Sequence, residues 1–479
     1  MMRLLGAGLL IGALFLLAQG SGDRASADPA ITGYPDSMAT LGDSISRAFD
    51  ADPSMFGEQL ENVWSTGTNP SVNTIYSRIL AVHPAISGNR FNDAVSGARM
   101  TGLNGQAGNA VTQGADLVLI EMGGNDVCAA NEGAMTSVAD YQTQFTAAMQ
   151  TLTTGLPDAR IGVLSVPDVY NLWAILHDNT SAQGIWSTYS ICQAMLANPT
   201  SMAQADVDRR ANVRQRNMDF NTVLHDVCAQ YVHCRFDNYL GFNTAFTTAD
   251  VSTIDYFHPS LTGQTNIAAQ AWTNGWDFTE ANPPASGSSG VLGGGGATIA
   301  LTATDDVGVN GIEYKVDAGA WQKYTAPFLV SSTHTFIWRA VDVNGNVEAT
   351  HTCNVRYWGW PSGDSDCDGF PDSVAAAGKA PEPAIGTDPA KGCAADTTAN
   401  NEPTPDAMPM DFNDDQIISG QDTGKYGGPY GAYNHLVSAG PFGPPGAELP
   451  GERFDLSGNG IIDGQDTGKF QPYFGRKCV

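Results

Sequence analysis

Between residues 30 and 280, short apolar runs alternate with stretches whose apolar positions recur at helical spacing. The runs "SMATL" (37–41), "RFNDAV" (90–95), "DLVLIEM" (116–122) and "RIGVLSV" (160–166) predict buried strands. The stretches "VNTIYSRILAVH" (72–83), "SVADYQTQFTAAMQTL" (137–152) and "RNMDFNTVLHDVCAQY" (216–231) predict helices. Strands alternating with helices imply an α/β domain, a parallel sheet covered on both faces. Ligands of such sheets sit outside the carboxyl ends of the strands.

The pattern then changes. "NPPASGSSGVLGGGG" (282–296) reads as a flexible linker by composition, here bounded at 281–296. From 297 to 358, "ATIALTATD", "GIEYKVDAGAWQKY" and "HTFIWRAVDVNGNVEATHTCNVRY" alternate with period two and carry turn signals such as Asn344-Gly345, which predicts a small β-sandwich. Beyond 361 the chain is rich in Gly, Pro and Asp, with little apolar periodicity, and needs metal or disulfide staples.

At 479 residues the chain has room for several domains, and 42% hydrophobic content supports ordinary cores. A net charge of −27 argues against a nucleic-acid partner, because neutralising phosphates needs basic surface. At the start, Arg3, an apolar run from Leu4 to Ala18 and Ala25-Ser26-Ala27 form a secretory signal pattern over 1–27, with cleavage before Asp28. The mature protein is therefore expected outside the cell. There disulfides form, and Cys128 with Cys192, Cys228 with Cys234 and Cys367 with Cys393 are the expected pairs of the eight cysteines.

Two Gly-Asp-Ser tripeptides occur, ending at Ser44 and Ser365. Ser44 follows the strand "MATL" and precedes a predicted helix, so its Oγ belongs at the carboxyl edge of the sheet. Ser365 lies in an acidic run with neither element. A serine nucleophile needs a base and a group to orient it. "STIDYFHPSLTG" (252–263) supplies Asp255 and His258, three residues apart, before another predicted helix. Developing oxyanion charge needs N–H donors. Gly97, after one strand, and Asn125 in "GGND", after another, are candidates beside the Ser44 N–H.

Together these four blocks resemble the SGNH, or GDSL-type, hydrolase family, in order and without departure at Ser44, Gly97, Asn125, Asp255 and His258. The resemblance implies a three-layer αβα, flavodoxin-like domain over 28–280. It also implies a nucleophile Ser44, a base His258, an orienting acid Asp255 and an oxyanion hole of Ser44, Gly97 and Asn125. "AVSGARM", "GGNDVC" and "DYFHPSLTG" are similar to the phospholipase B-like branch, and "VPDVYNLWAILHD" (166–178) resembles acyloxyacyl hydrolase. The expected activity is a carboxylic ester hydrolase, an esterase or lipase acting on fatty acyl esters of lipid or glycan, with no catalytic cofactor. A carbohydrate acetyl esterase and a non-catalytic adhesion or scaffold-attached protein are the alternatives. Leu172, Trp173, Ile175 and Leu176 are either an acyl-pocket wall or helix core.

The acidic tail contains a repeat, "DFNDDQIISGQDTGKY" (411–426) and "DLSGNGIIDGQDTGKF" (455–470). Its oxygen-bearing positions suit Ca²⁺, a hard cation that takes six to eight oxygens. The ligands are Asp411, Asn413, Asp415, Ser419 and Asp422 in one copy, and Asp455, Ser457, Asn459, Asp463 and Asp466 in the other. The pair resembles a dockerin module over 405–479. That implies a cohesin-like partner, although Gly420-Gln421 and Gly464-Gln465 replace the usual hydroxyl-bearing pairs. "GDSDCDGFPDS" (363–373) resembles a thrombospondin type 3 repeat over 361–394, with Asp364, Asp366, Asp368 and Asp372 as calcium ligands. The sandwich resembles the Ig-like repeats of secreted enzymes, which act as spacers or bind cell-surface glycan.

Overall fold

A computed structural model describes residues 30–293, 296–331, 334–354, 364, 369–375, 378–389, 409–413, 415, 417–428, 430–443 and 449–470. The signal segment, Asp366, Asp368 and the Cys367–Cys393 pair lie outside the described residues.

Five parallel strands form the first sheet: β1 (Met38–Gly42), β2 (Arg90–Asn92), β3 (Leu117–Glu121), β4 (Arg160–Val163) and β5 (Cys234–Phe236), in the order β2-β1-β3-β4-β5. Alternation along the strands sends side chains to two cores. Val118 and Ile120 of β3 join Leu103, Tyr141, Phe145 and Phe220, from α2 (Leu103–Gln113), α4 (Val138–Gly155) and α8 (Gln204–Cys228). Leu117 and Leu119 face the other way, onto Ile75 and Ile79 of α1 (Ile75–Val82) and Ala268 of α10 (Leu261–Thr273). This is the α/β architecture that the apolar pattern implied.

The strand β5 and the helix α2 had no clear sequence signal. The first has three half-buried residues; the second, "LNGQAGNAVTQ", is mostly small and polar, and buries only Leu103, Gln106, Ala107 and Ala110. The helix expected at 216–231 starts at Gln204, because the charged first half of α8 lacks apolar periodicity. Between α4 and α8 lie α5 (Val169–Leu176), α6 (Thr180–Thr188) and α7 (Gln193–Leu196), and after β5 comes the short α9 (Leu240–Asn243). The disulfides Cys128–Cys192 and Cys228–Cys234 form as expected.

The stretch 281–296 is not a free linker. Its residues Ala285–Gly293 form β6, paired antiparallel along its length with β7 (Gly296–Thr304). Glycine and serine lack the side-chain alternation by which strands are recognised, but their backbone pairs as well as any other. With β10 (Phe328–Ser331) these strands make one three-stranded sheet. A four-stranded sheet of β8 (Val309–Val316), β9 (Gln322–Lys323), β11 (Thr335–Asp342) and β12 (His351–Asn354) makes the other. Ile299, Ile312, Phe336 and Trp338 fill the space between them.

Two buried arginines tie this sandwich to the amino end of the parallel sheet. Arg160, the first residue of β4, donates to the Asn344 carbonyl (3.0 Å), the Asn346 side chain (3.1 Å) and the Gly33 carbonyl (2.9 Å). Arg339 of β11 returns the contact, donating to the Pro157 carbonyl (2.8 Å), to Asp158 and to Glu313 (2.6 Å). Val232, Val341 and Val347 close the seam. Buried guanidinium groups thus fix the sandwich against the amino end of the parallel sheet.

The tail also differs from expectation. Segments 361–394 and 405–479, read as separate modules, share one core, in which Phe370, Ala380 and Ile385 pack with Phe412, Phe454 and Ile462. Its large side chains are widely spaced in sequence, so periodicity does not betray them. No helix among the described residues is long and apolar enough to cross a membrane.

The substitution Arg339→Met leaves Glu313 buried without its guanidinium partner. It is expected to cost about 3–5 kcal/mol in a denaturant titration followed by fluorescence. An unchanged midpoint would show that the seam contributes nothing to stability.

Candidate active site

The carboxyl ends of β1, β2 and β3 and the loop before α10 bring four sequence blocks together. At Gly42 the backbone has φ +151°, and a Cβ there would lie 2.2 Å from the Glu121 carbonyl oxygen, so only glycine lets β1 run this close to β3. Asp43 and Ser44 follow at the sheet edge. The helix expected after Ser44 is only a 3-10 turn, Ile45–Arg47, which Ala48 ends at φ +48°. Gln264 of α10 pins that turn: its amide donates to the Ile45 carbonyl (2.9 Å) and accepts from the Trp64 N–H (2.9 Å).

The loop from Val251 to Pro259 is closed by a bridge between those residues and by the Ser252 N–H on the His258 carbonyl (2.8 Å). Trp186 of α6 donates to the Tyr256 carbonyl (3.0 Å), which holds Tyr256 at φ +53°. In this frame Asp255 Oδ1 accepts the N–H groups of Phe257 (2.9 Å) and His258 (3.1 Å). Asp255 Oδ2 lies 2.5 Å from His258 Nδ1, and His258 Nε2 lies 2.7 Å from Ser44 Oγ. An ionised carboxylate only accepts, so Nδ1 carries the proton and Nε2 is left to accept the Ser44 hydroxyl. Phe49 and Phe257 flank the imidazole at ring distances of 5.1 and 5.0 Å. Ser44 is 7% exposed, enough for access from one side.

Asn125 sits in the short helix α3 (Gly124–Val127), where its side-chain amide donates to the Ala98 carbonyl (3.0 Å). This bond draws the loop of Gly97, at φ +81°, towards β3. Asp126 reinforces the tie, accepting from the Met100 N–H (2.8 Å) and the Thr136 hydroxyl (2.6 Å). The N–H groups of Ser44 and Gly97 have no protein acceptor among the described residues. Ser44, Asn125 and His258 line one cavity of about 310 Å³; Gly97 stands outside its lining.

That cavity was only partly legible in the sequence. Of the four candidate wall residues, Leu172 lines it. Trp173 and Leu176 are core, the Trp173 indole donating to the Pro199 carbonyl (2.8 Å). Leu164, Val166, Leu240, Phe246 and Ile267 complete the apolar wall. They come from stretches far apart in sequence, around 164–166, 240–246 and 267, and only Val166 stands in a block singled out by its motif. Glu121 and Asp43 also line it. A glutamate inside the apolar run "DLVLIEM" was the available signal for the first.

Burial pushes the Asp43 carboxyl up to about 6. Burial, and then the neighbouring Asp43, raise Glu121 well above the usual carboxylate range.

In the tail, Asp422 accepts the N–H groups of Phe412 (3.0 Å) and Ser419 (2.7 Å), and Asp466 those of Ser457 (2.9 Å) and Asp463 (2.7 Å). Asp411 and Asp455 likewise accept backbone N–H groups of their own loops. The two repeat copies thus fold alike. No group of three or more His, Cys, Asp or Glu side chains is gathered for a metal among the described residues. The donor chemistry suits Ca²⁺, but the side chains as they stand do not form a closed ligand shell.

A Ser-His-Asp hydrogen-bond chain thus stands at the carboxyl edge of a parallel sheet in an α/β domain. Residues 38–307 match the model of the GDSL-like Lipase/Acylhydrolase family, more than half of the chain, and the protein belongs to that family of ester hydrolases. The match runs past 280 into the first sandwich strands. Among solved structures the chain is similar to the esterase EstA from Pseudoalteromonas sp., at 16% identity and TM-score 0.29, over 50% of this chain and 96% of that one. It is also similar to an extracellular lipase from Streptomyces rimosus, at 18% identity and TM-score 0.28, over 50% and 99%. No curated protein matches the sequence.

The raised Asp43 carboxyl makes a stability prediction with a definite sign. A group whose folded pKa lies above its unfolded value of about 4 stabilises fully below that pH. Its contribution is lost as pH rises through about 6. Asp43→Asn, which can still accept from the Ile45 N–H, is expected to match wild type near pH 4 and to exceed it by about 2–3 kcal/mol at pH 7. Denaturation at both pH values checks this, and a constant difference would contradict it.

Proposed function

We propose that this protein is a secreted serine esterase that hydrolyses carboxylic esters with an apolar acyl group. The observation that carries the reading is the Ser44–His258–Asp255 hydrogen-bond chain opening onto a largely apolar cavity of about 310 Å³. Ser44 Oγ bonds to the ester carbonyl carbon while His258 Nε2 takes its proton. Asp255 holds the ring in the tautomer this needs and stabilises the imidazolium that results. The oxyanion is met by the Ser44 and Gly97 N–H groups and the Asn125 amide, an arrangement supported by the bond from Asn125 to Ala98. Collapse breaks the bond to the alcohol oxygen, which leaves with the proton from Nε2. Water, deprotonated by the same nitrogen, then adds to the acyl-enzyme; the bond from the acyl carbon to Ser44 Oγ breaks, Oγ takes the proton back from Nε2, and the acid is released.

Leu164, Val166, Leu172, Leu240, Phe246 and Ile267 give an acyl chain an apolar wall. Burying each methylene there gains about 0.8 kcal/mol. On p-nitrophenyl esters from acetate to palmitate, kcat/KM is therefore expected to rise with chain length until the cavity is full. Ser44→Ala is expected to lower kcat by about 10⁴-fold or more. Activity confined to acetate would favour a carbohydrate acetyl esterase. No activity on any ester would favour a non-catalytic binding protein.

The signal pattern supports export, and the Ig-like and dockerin-like resemblances support attachment to a cell-surface glycan or a cohesin-like partner. The repeated loops are proposed to bind Ca²⁺ after rearranging around it, which the matching positions of Asp422 and Asp466 support. The site is expected to have an affinity of about 10⁻⁴–10⁻³ M, as extracellular modules do. Millimolar calcium should raise the unfolding temperature of the tail, and EDTA should reverse it. In the double variant Asp422→Ala, Asp466→Ala the shift should vanish; a wild-type tail indifferent to calcium would exclude the site.

A further inference from the structure

The catalytic chain leaves several buried carboxyl oxygens of the cavity unused, Asp237 Oδ1 among them, and Glu121 is the residue with neither oxygen paired. Glu121 ends β3 and is 2% exposed, yet neither of its carboxyl oxygens has a hydrogen-bond partner. Asp43 Oδ2, in a residue 1% exposed, is likewise unpartnered. Both residues line the cavity, together with the apolar Leu164, Ile267 and Ala271. Buried polar atoms are normally paired, and leaving one unpaired costs about 1–3 kcal/mol. A group aimed into a ligand cavity escapes that cost once a ligand pairs with it. Glu121 makes no contact with Ser44 or His258 that would give it a place in the proton path.

The chemistry of the missing partner follows from the surroundings. Burial and the adjacent Asp43 keep the Glu121 carboxyl protonated well beyond the usual range. A neutral carboxyl offers one O–H donor and acceptor lone pairs. A hydroxyl complements both, whereas a plain alkyl chain satisfies neither. The strand register fixes where they meet: Glu121 is paired with Gly42, two residues before Ser44. The carboxyl therefore faces the acyl group near its ester end, not at its tip.

We infer that Glu121 is a specificity-determining residue, which binds a hydroxyl carried by the acyl group near the scissile carbonyl. The preferred substrates are esters of hydroxylated aliphatic acids. This rests on the proposed esterase reading, in which the cavity takes the acyl group.

The test compares p-nitrophenyl decanoate with its monohydroxylated counterparts, the hydroxyl moved one carbon at a time, on the full chain. The expected result is a kcat/KM about 10- to 100-fold higher for a hydroxyl near the ester end. Glu121→Leu should abolish that preference, and Glu121→Gln, which keeps a donor and an acceptor, should retain most of it. A wild type that hydrolyses all the esters without preference overturns the inference and leaves the esterase reading standing. So does a preference unchanged in Glu121→Leu. If no ester is hydrolysed, calorimetry on the Ser44→Ala variant with decanoic acid and its hydroxylated counterparts decides. Tighter binding of a hydroxy acid supports the inference while the esterase reading fails; equal affinities, or no binding, overturn it.

Discussion

The pairing of β1 with β3 at the centre of the parallel sheet is the constraint on which the rest depends. Each residue of both strands is buried, and Gly42 lets the two backbones approach at the point where β1 leaves the sheet. From that point hang Ser44 on one strand and, on the other, Glu121 and the loop of Asn125. A side chain at Gly42 would push the two strands apart and separate Ser44 from the groups around it. The His258 loop is then brought in by α10, whose Gln264 reaches the turn after Ser44.

The two ends of this sheet do different work. The carboxyl end holds a half-open cavity with unsatisfied polar groups. The amino end is sealed by the sandwich through Arg160 and Arg339, which are 3% and 2% exposed. A buried guanidinium is costly unless its donors are met, and here acceptors on both domains meet them. The seam therefore joins catalytic domain and sandwich into one unit, while the cavity keeps access to solvent at the far side.

The cavity itself departs from what an acyl pocket alone would need. A wholly apolar wall binds an alkyl chain without cost. Asp43 and Glu121 place three unpaired carboxyl oxygens on that wall, at a cost in stability that packing elsewhere offsets. Natural sequences carry such local conflicts chiefly where a ligand resolves them.

The sequence by itself determined four of the five strands of the parallel sheet, from their short apolar runs. It also picked out Ser44, Asn125, Asp255 and His258, which the fold brings together at the carboxyl edge of the sheet, because they lie in short blocks of distinctive residue types. It named two disulfides correctly. It could not reveal β6, since Gly and Ser pair through backbone that leaves no side-chain pattern, nor the shared core of the tail, whose aromatic residues are far apart in the chain. Tertiary structure alone decided which apolar residues line the cavity, because the wall is assembled from segments distant in sequence. It alone decided that Trp173 packs inward while Leu172 faces the cavity, since neighbouring positions on a helix point in different directions. And it alone showed Glu121 without a partner, because whether a buried carboxyl is satisfied depends on what the fold brings beside it.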